Sequence, residues 1–452
     1  MTKVARLLGV VLLLLTVAPR NGRAWMTTPE LGYGIAVTTT ASGNIVSAGE
    51  SIGTDLFDFS VRLQTALDGA DVWRYQLDGS GGDIAGSYND YAADVALDGA
   101  GDVIAAGATR NAGSKLDLQI VKLGAADGVP VWTQVLDSPT HDNDDYRNMA
   151  LHPAGDVAVA GVFGMTPDTF GPYTFVVTRL AGATGAVLWQ HEVAGDPRSQ
   201  PASVHFDSAG DVLATGTLET APHVSDVVAV KLDGATGAEV WRTLLNGGDA
   251  PVNDAAYAGA LDGVGDLYLG GRASTTGGDG FTVYKLSGAT GAVLWRYDHS
   301  PVGEYAFVTV LSVDGAGALY AGGYVDTGFD LVKLSGASGI PLWNRKCHKG
   351  YFAFVTFDLI GDVLLAGSYG PSFAIEKLAA GDGHKRWRRK LRGNRYNGGF
   401  ANAATVDPAG EVIAVGGHVT PLPRGPVNGT ARYTVIKACG ENGRVRSTDA
   451  CP

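Results

Sequence analysis

The sequence predicts an all-β chain, an eight-bladed β-propeller of four-stranded antiparallel blades. Three observations lead there. One unit is written eight times, with a period between 44 and 58 residues, the range of propellers and solenoids. Each unit reads as four short runs rich in Val, Ile, Leu and Tyr, bounded by Gly and Asp turns, the pattern of hairpin-linked strands. Helical periodicity is absent over any long window. A seven-bladed ring and a parallel β-helix, which would use shorter rungs, are the alternatives.

Composition narrows the class. Of 452 residues, 65 are Gly, 45% are hydrophobic and 18% charged. Gly at this level is roughly double the usual share of about 7%, but it has no three-residue period, so collagen is excluded. The apolar content excludes a disordered chain. The 34 basic and 46 acidic residues leave a net charge of −12, which argues against a nucleic-acid partner.

At the amino terminus, Lys3 and Arg6 precede the apolar run Leu7 to Ala18. That run is short of the roughly 20 residues a bilayer span needs. Gly22-Arg23-Ala24 puts small residues at the −3 and −1 positions of a cleavage site. Residues 1–24 therefore read as a secretory signal peptide, and 25–452 as a single propeller domain. No other run is long and apolar enough to span a membrane, so the expectation is an exported protein, periplasmic or secreted.

The second copy shows the elements in order: strand A from Tyr91 to Leu97, the turn Asp98-Gly99-Ala100-Gly101, strand B from Asp102 to Ala106, strand C from Leu118 to Leu123, and strand D from Pro130 to Leu136. The run Val103-Ile104-Ala105-Ala106 is apolar on both faces, as a strand covered on both sides must be. Three markers recur in fixed order: a Gly-Asp after the A–B turn, a basic residue ending strand C, and a Trp in strand D. Strands B and C should pair, so the first two markers should meet, Asp102 with Lys122 and Asp211 with Lys231. The eighth copy reaches Tyr433 to Lys437 but lacks its Trp. Either residues near Trp25 supply that outer strand, or Arg444 to Thr448 do. A Cys439–Cys451 bridge would pin the carboxyl terminus and leave Cys347 over; three free thiols are the other option. No CxxC occurs, which excludes a c-type haem and a Cys-rich zinc site.

Spacing separates two faces. The A–B and C–D turns keep their length, while the B–C and D–A connections vary. Alternating strand direction puts all the variation on one face, a common mark of a binding face. Asp90, Asp142, Asp144, Asp145 and Asp254 lie there, just before strand A, and are the candidate ligand-binding residues. Loop carboxylates could hold a hard cation such as calcium, though no EF-hand spacing occurs and Asx residues also cap turns; the metal stays unknown. A second candidate is a basic patch on the outer strands: Arg345 and Lys346 in one copy, Lys385, Arg386, Arg388, Arg389, Lys390 and Arg392 in the next. It suits an anionic partner, or guards an edge against aggregation. No HExxH, GxSxG, P-loop or paired metal spacing appears, so no catalytic residue is assigned, and a lone residue such as His205 reads as packed.

Gly-Ser-Gly-Gly-Asp at 79–83, Asp94 to Asp102 and Ile120-Val121-Lys122-Leu123 resemble the SBBP-type repeats of bacterial β-propeller proteins. Leu232-Asp233-Gly234-Ala235-Thr236-Gly237 followed by Trp241 is similar to the tryptophan-docking repeat of quinoprotein (PQQ-type) propellers, and Leu286 to Trp295 and Leu334 to Trp343 repeat it. In that family the Trp packs on a small residue ten positions earlier, where this chain has Lys231, Lys285 and Lys333. The resemblance implies the fold and no cofactor residue. The function expected is a non-enzymatic binding or scaffold module with a protein or glycan ligand and no cofactor. The alternative is a quinoprotein-like oxidoreductase using PQQ with calcium.

Overall fold

The computed structural model describes residues 24–445, apart from 29, 54–55, 82–89, 166–172, 194–195, 222–223, 247–253, 276–277, 300–304, 327, 348, 393–397 and 420–430. The described residues form strands and no helix. The strands assort into eight four-stranded antiparallel sheets, seven of them meanders of consecutive strands. The eighth is completed from the far end of the chain: Trp25–Thr27 pairs with Arg432–Ala438, Trp25 opposite Lys437. The innermost strands of neighbouring sheets touch all the way round. This is a closed eight-bladed wheel, which excludes seven blades and a β-helix. The amino-terminal strand is the one that closes it. Arg444 and Val445 are irregular, and 446–452 lie outside the described residues, as do 1–23, most of the signal peptide expected over residues 1–24.

Each of the eight main apolar clusters spans one blade interface. Phe59 and Val61 of the first blade meet Val95 and Val121 of the second. Trp25, Ile413 and Val435 of the eighth meet Ile45 of the first. Burying one such side chain contributes about 1.5–3 kcal/mol, so the interfaces, not the separate blades, hold the wheel together.

The turns on one face are uniform. Every A–B turn has five residues, with the bonds of Asp98 N–H to Asp102 C=O and Gly101 N–H to Asp98 C=O, 3.0 Å each, repeated from 40–44 to 407–411. Gly101 has φ 86°, a left-handed conformation that favours Gly. Every C–D turn has six residues, as in Gly124 N–H to Val129 C=O at 2.9 Å. Length differences therefore fall only in the B–C and D–A loops, on one face, as the spacing predicted. Register also corrects the first copy. Trp73 lies opposite Leu63, where the second blade has Trp132 opposite Lys122. Arg62 is one residue early, on the other side of the strand, buried and paired with Glu30 and Asp71. The basic residue thus ends strand C in seven copies, not eight.

Tryptophan ties each blade to the next. Trp241 Nε1 donates to Gly288 C=O at 3.1 Å and Trp295 to Gly336 C=O at 3.1 Å. The bond recurs round the ring, and Trp25 makes the closing one to Ala66 C=O at 3.2 Å. Each indole lies flat on a Gly of the turn it reaches; a Cβ at Gly339 would sit 2.7 Å from the Trp295 ring. The docking contact implied by the repeat is made, but on the next blade's turn Gly. The strand C lysine is free to do something else.

That lysine meets the expected acid and a second, nearer one. Lys122 lies 2.6 Å from Asp98 and 3.4 Å from Asp102; Lys231 lies 2.7 Å from Asp207 and 3.2 Å from Asp211. The nearer acid opens the A–B turn. The Asp of Gly-Asp also accepts from its own blade's C–D turn, as Asp102 does from Ala125 N–H at 3.0 Å.

Candidate functional site on the loop face

Strand A carries a bulge at the same place in all eight blades, for example between Ala256 and Ala258 and between Val308 and Val310. A bulge re-aims the side chains beside it. Counting back seven residues from the A–B turn reaches the loop-face end of the innermost strand. That position holds Tyr33, Tyr91, Phe307, Tyr351 and Phe400 in five of the eight copies.

Across blades five to eight these rings join into an arc. Tyr257 and Phe307 are 5.5 Å apart between centroids, Phe307 and Tyr324 5.5 Å, Tyr324 and Tyr351 5.4 Å, Tyr351 and Phe400 5.5 Å. Tyr305 packs edge-to-face on Phe307 with centroids 5.3 Å apart, and Arg272 donates to its hydroxyl at 3.1 Å. Tyr33 of the first blade lies against Gly417 of the eighth. Tyr305 is 52% exposed, Tyr33 41% and Tyr257 38%. Aromatic faces left half in water at one rim are unusual surface.

Blades two and three make the mouth polar instead. Tyr91 Oη donates to Asp145 Oδ1 at 2.6 Å, and Tyr146 Oη to Asp94 Oδ2 at 3.2 Å. Arg147 pairs with Asp145 at 2.9 Å. Burial pushes the Asp94 carboxyl up to about 6.

The five acids expected here split by role. Asp90 accepts from Gly79 N–H and, at 2.6 Å, from Arg110 N–H. Asp144 does the equivalent in the next blade, from Ser138 N–H at 2.5 Å and Gly164 N–H at 2.8 Å. Both brace the passage from strand D into the next strand A, a use of the Asx side chain that costs no ligand. Asp254 is 1% exposed and is held through its backbone to Ser225 at 2.9 Å. Asp142 accepts from Lys115 Nζ at 2.9 Å, and that bond lowers its pKa. Only Asp145 faces the mouth. Sequence reading missed Asp117 and Asp137, which lie beside Asp144 with one oxygen of each within 4.8 Å of the others. It also missed the aromatic column, which shows once the copies are aligned on the A–B turn.

The basic patch divides as well. Arg345 and Arg388 turn inward and both bind Glu376, which is fully buried; Arg345 does so at 2.7 Å. Arg388 also lies 3.7 Å over the Tyr369 ring. Lys346, Lys385, Arg386, Lys390 and Arg392 remain exposed, and Arg389 is half-buried. Arg386 approaches Asp362 at 3.4 Å. Cys439 is disulfide-bonded, and Cys347 is a buried free thiol; Cys451 lies outside the described residues.

Comparison with known proteins adds the following. Residues 173–351, less than half of the chain, match the family model described as outer membrane protein assembly factor BamB. No curated protein matches the sequence. BamB from Moraxella catarrhalis is similar at 18% identity and TM-score 0.51, over 89% of this chain and 95% of that one. Quinohemoprotein alcohol dehydrogenase ADHIIG from Pseudomonas putida HK5 is similar at 13% identity and TM-score 0.61, over 95% and 78%. Chaetomium thermophilum Sqt1 is similar at 11% and 0.55, over 88% and 96%. At these identities the likeness carries the fold, while the family match supports a PQQ-like repeat.

Proposed function

We propose that this protein is an exported, non-catalytic scaffold that presents its loop face to a protein partner in the cell envelope. The observation that carries this is the division of labour between the faces. Every tryptophan dock and every contact between a strand C lysine and an acid lies at the turn face. The loop face is left with the half-exposed aromatic arc and a polar sector opposite. Tyr and Phe anchors beside polar groups are the composition of binding hot spots. The match to an assembly-factor family model, and the fold shared with BamB, point the same way. The signal segment supports export.

The test is binding. The purified chain is cross-linked to envelope proteins and probed on a glycan array, alongside a Tyr257→Ala/Tyr305→Ala variant and a Val131→Ala variant on the outer rim. The expected result is one captured protein whose binding falls roughly tenfold or more in the tyrosine variant, with Tm unchanged. Loss in the rim variant instead, or glycan binding alone, would displace the reading. Fractionation of cells tests export directly.

A quinone-dependent oxidoreductase is the other reading, prompted by the dehydrogenase likeness. PQQ is a tricarboxylate, so its seat needs converging cations. Described charges at the mouth include Asp94, Asp145 and Arg147, and Arg147 is already paired with Asp145. That set suits a tricarboxylate poorly, and no step is derived through a quinone. Absorbance and melting with added PQQ, with and without calcium, test it.

A further inference from the structure

We propose that Asp117, Asp137 and Asp144 form a calcium site that clamps the second blade to the third on the loop face. Asp117 comes from the start of strand C in blade two (Leu116–Leu123), Asp137 follows strand D of that blade (Pro130–Leu136), and Asp144 opens strand A of blade three (Asn143–Leu151). One carboxylate oxygen of each lies within 4.8 Å of the other two. This site stands whether or not the face binds a protein partner.

Acids gather on many surfaces without a ligand, so the state of Asp117 matters most. It is 1% exposed. Its Oδ2 accepts from Asn111 Nδ2 at 2.8 Å and Ser114 Oγ at 2.6 Å. Its Oδ1 is buried and has no hydrogen-bond donor among the described residues. A buried carboxylate oxygen without a donor is costly. Asp137 brings a second carboxylate oxygen within 4.8 Å of one of Asp117's.

The neighbouring cations do not relieve the charge. Among the described residues no Lys or Arg pairs with Asp117 or Asp144; Lys115 is engaged with Asp142 at 2.9 Å. Among the described residues His141 pairs with Asp137, at 2.5 Å, and is itself exposed. A dication among the three oxygens supplies the missing charge.

The donors select calcium. All three are carboxylates, and the Ser138 and Thr140 hydroxyls stand in the same loop, 3.4 Å apart. Calcium takes six to eight oxygens in flexible geometry, with water completing the shell. Zinc would want nitrogen or sulfur ligands, and magnesium a stricter octahedron. The N–H bonds from Ser138 and Gly164 hold Asp144 in place and leave each of its oxygens a further lone pair.

The experiment uses the purified chain after chelation. Calcium is titrated by calorimetry and by thermal melting, with magnesium and zinc as separate arms, for wild type, Asp117→Asn and Asp137→Asn. The expected result is a Tm that rises with calcium and an affinity that drops roughly tenfold or more in either variant, with little response to magnesium. Should Asp117→Asn fail to fold, Asp137→Asn decides, because Asp137 is exposed. No heat and no Tm change with millimolar calcium in wild type, or an equal response in wild type and Asp137→Asn, overturns the proposal. A stronger response to zinc than to calcium also overturns it.

Discussion

A lysine at the end of strand C is held by two acids and, in several blades, shares a carbonyl with a tryptophan. Lys285 lies 2.8 Å from Asp262 and donates at 3.1 Å to Gly336 C=O, the same oxygen that accepts from Trp295. Copies that lose the first acid change the base too. The third has His152 and Arg179, and Arg179 reaches Asp156 at 2.8 Å and Gly234 C=O at 2.5 Å. The first has Thr40, Asn44 and Leu63, all neutral. Charge at this site is matched within each copy, as a half-buried pair requires. His205 shows the opposite economy. It is half-buried, and burial lowers its pKa to about 4, while an unfolded His titrates near 6.5. Below pH 6.5 the unfolded chain takes up a proton that the folded one refuses. The stability present above pH 6.5 is therefore lost as pH falls toward 4. Urea unfolding at pH 7 and 4.5 should show wild type losing about 2 kcal/mol more than His205→Gln between the two. Equal losses would mean the imidazole is solvated.

At the scale of the element, the C–D turn is the receptor and strand D the ligand. Gly339 has φ 69°, and a Cβ there would meet the Trp295 ring. Gly339→Ala combines backbone strain with a displaced indole and should cost about 2–4 kcal/mol in denaturant unfolding. Gly315 in the A–B turn of the same blade has open space around it, so Gly315→Ala should change stability by less than about 1 kcal/mol. Comparable losses would show that the dock contributes little. The constant length of the C–D turn was legible beforehand; that each indole docks on the next blade's turn was not. The lysine's second, nearer acid was not legible either. Two acids four residues apart flank one turn, and only coordinates show which carboxylate the ammonium reaches first.

For the whole molecule, closure is the decisive event. Trp25–Thr27 supplies the fourth strand of the last blade, and the Trp25 indole docks on the first. Deleting residues 24–28 leaves an open edge on one side and an empty Gly69 turn on the other. The truncated chain should melt several degrees lower and be cut by thermolysin first within residues 399–438. Trp25→Ala alone should cost about 3–5 kcal/mol, as for a buried Trp. Unchanged melting of the truncated chain would mean the ring holds without its latch.

Local sequence was enough to determine the strands, the turns, the number of blades and the face on which length varies. These are short-range properties: a period-two pattern, a Gly where φ must be positive, a turn of constant size. Which residues meet across blades was decided only by tertiary structure. Arg345 and Glu376 meet from different blades, as do Asp117 and Asp144, and the aromatic arc joins rings from four copies. Such contacts depend on how neighbouring sheets are rotated and spaced around the axis, a quantity no single repeat contains.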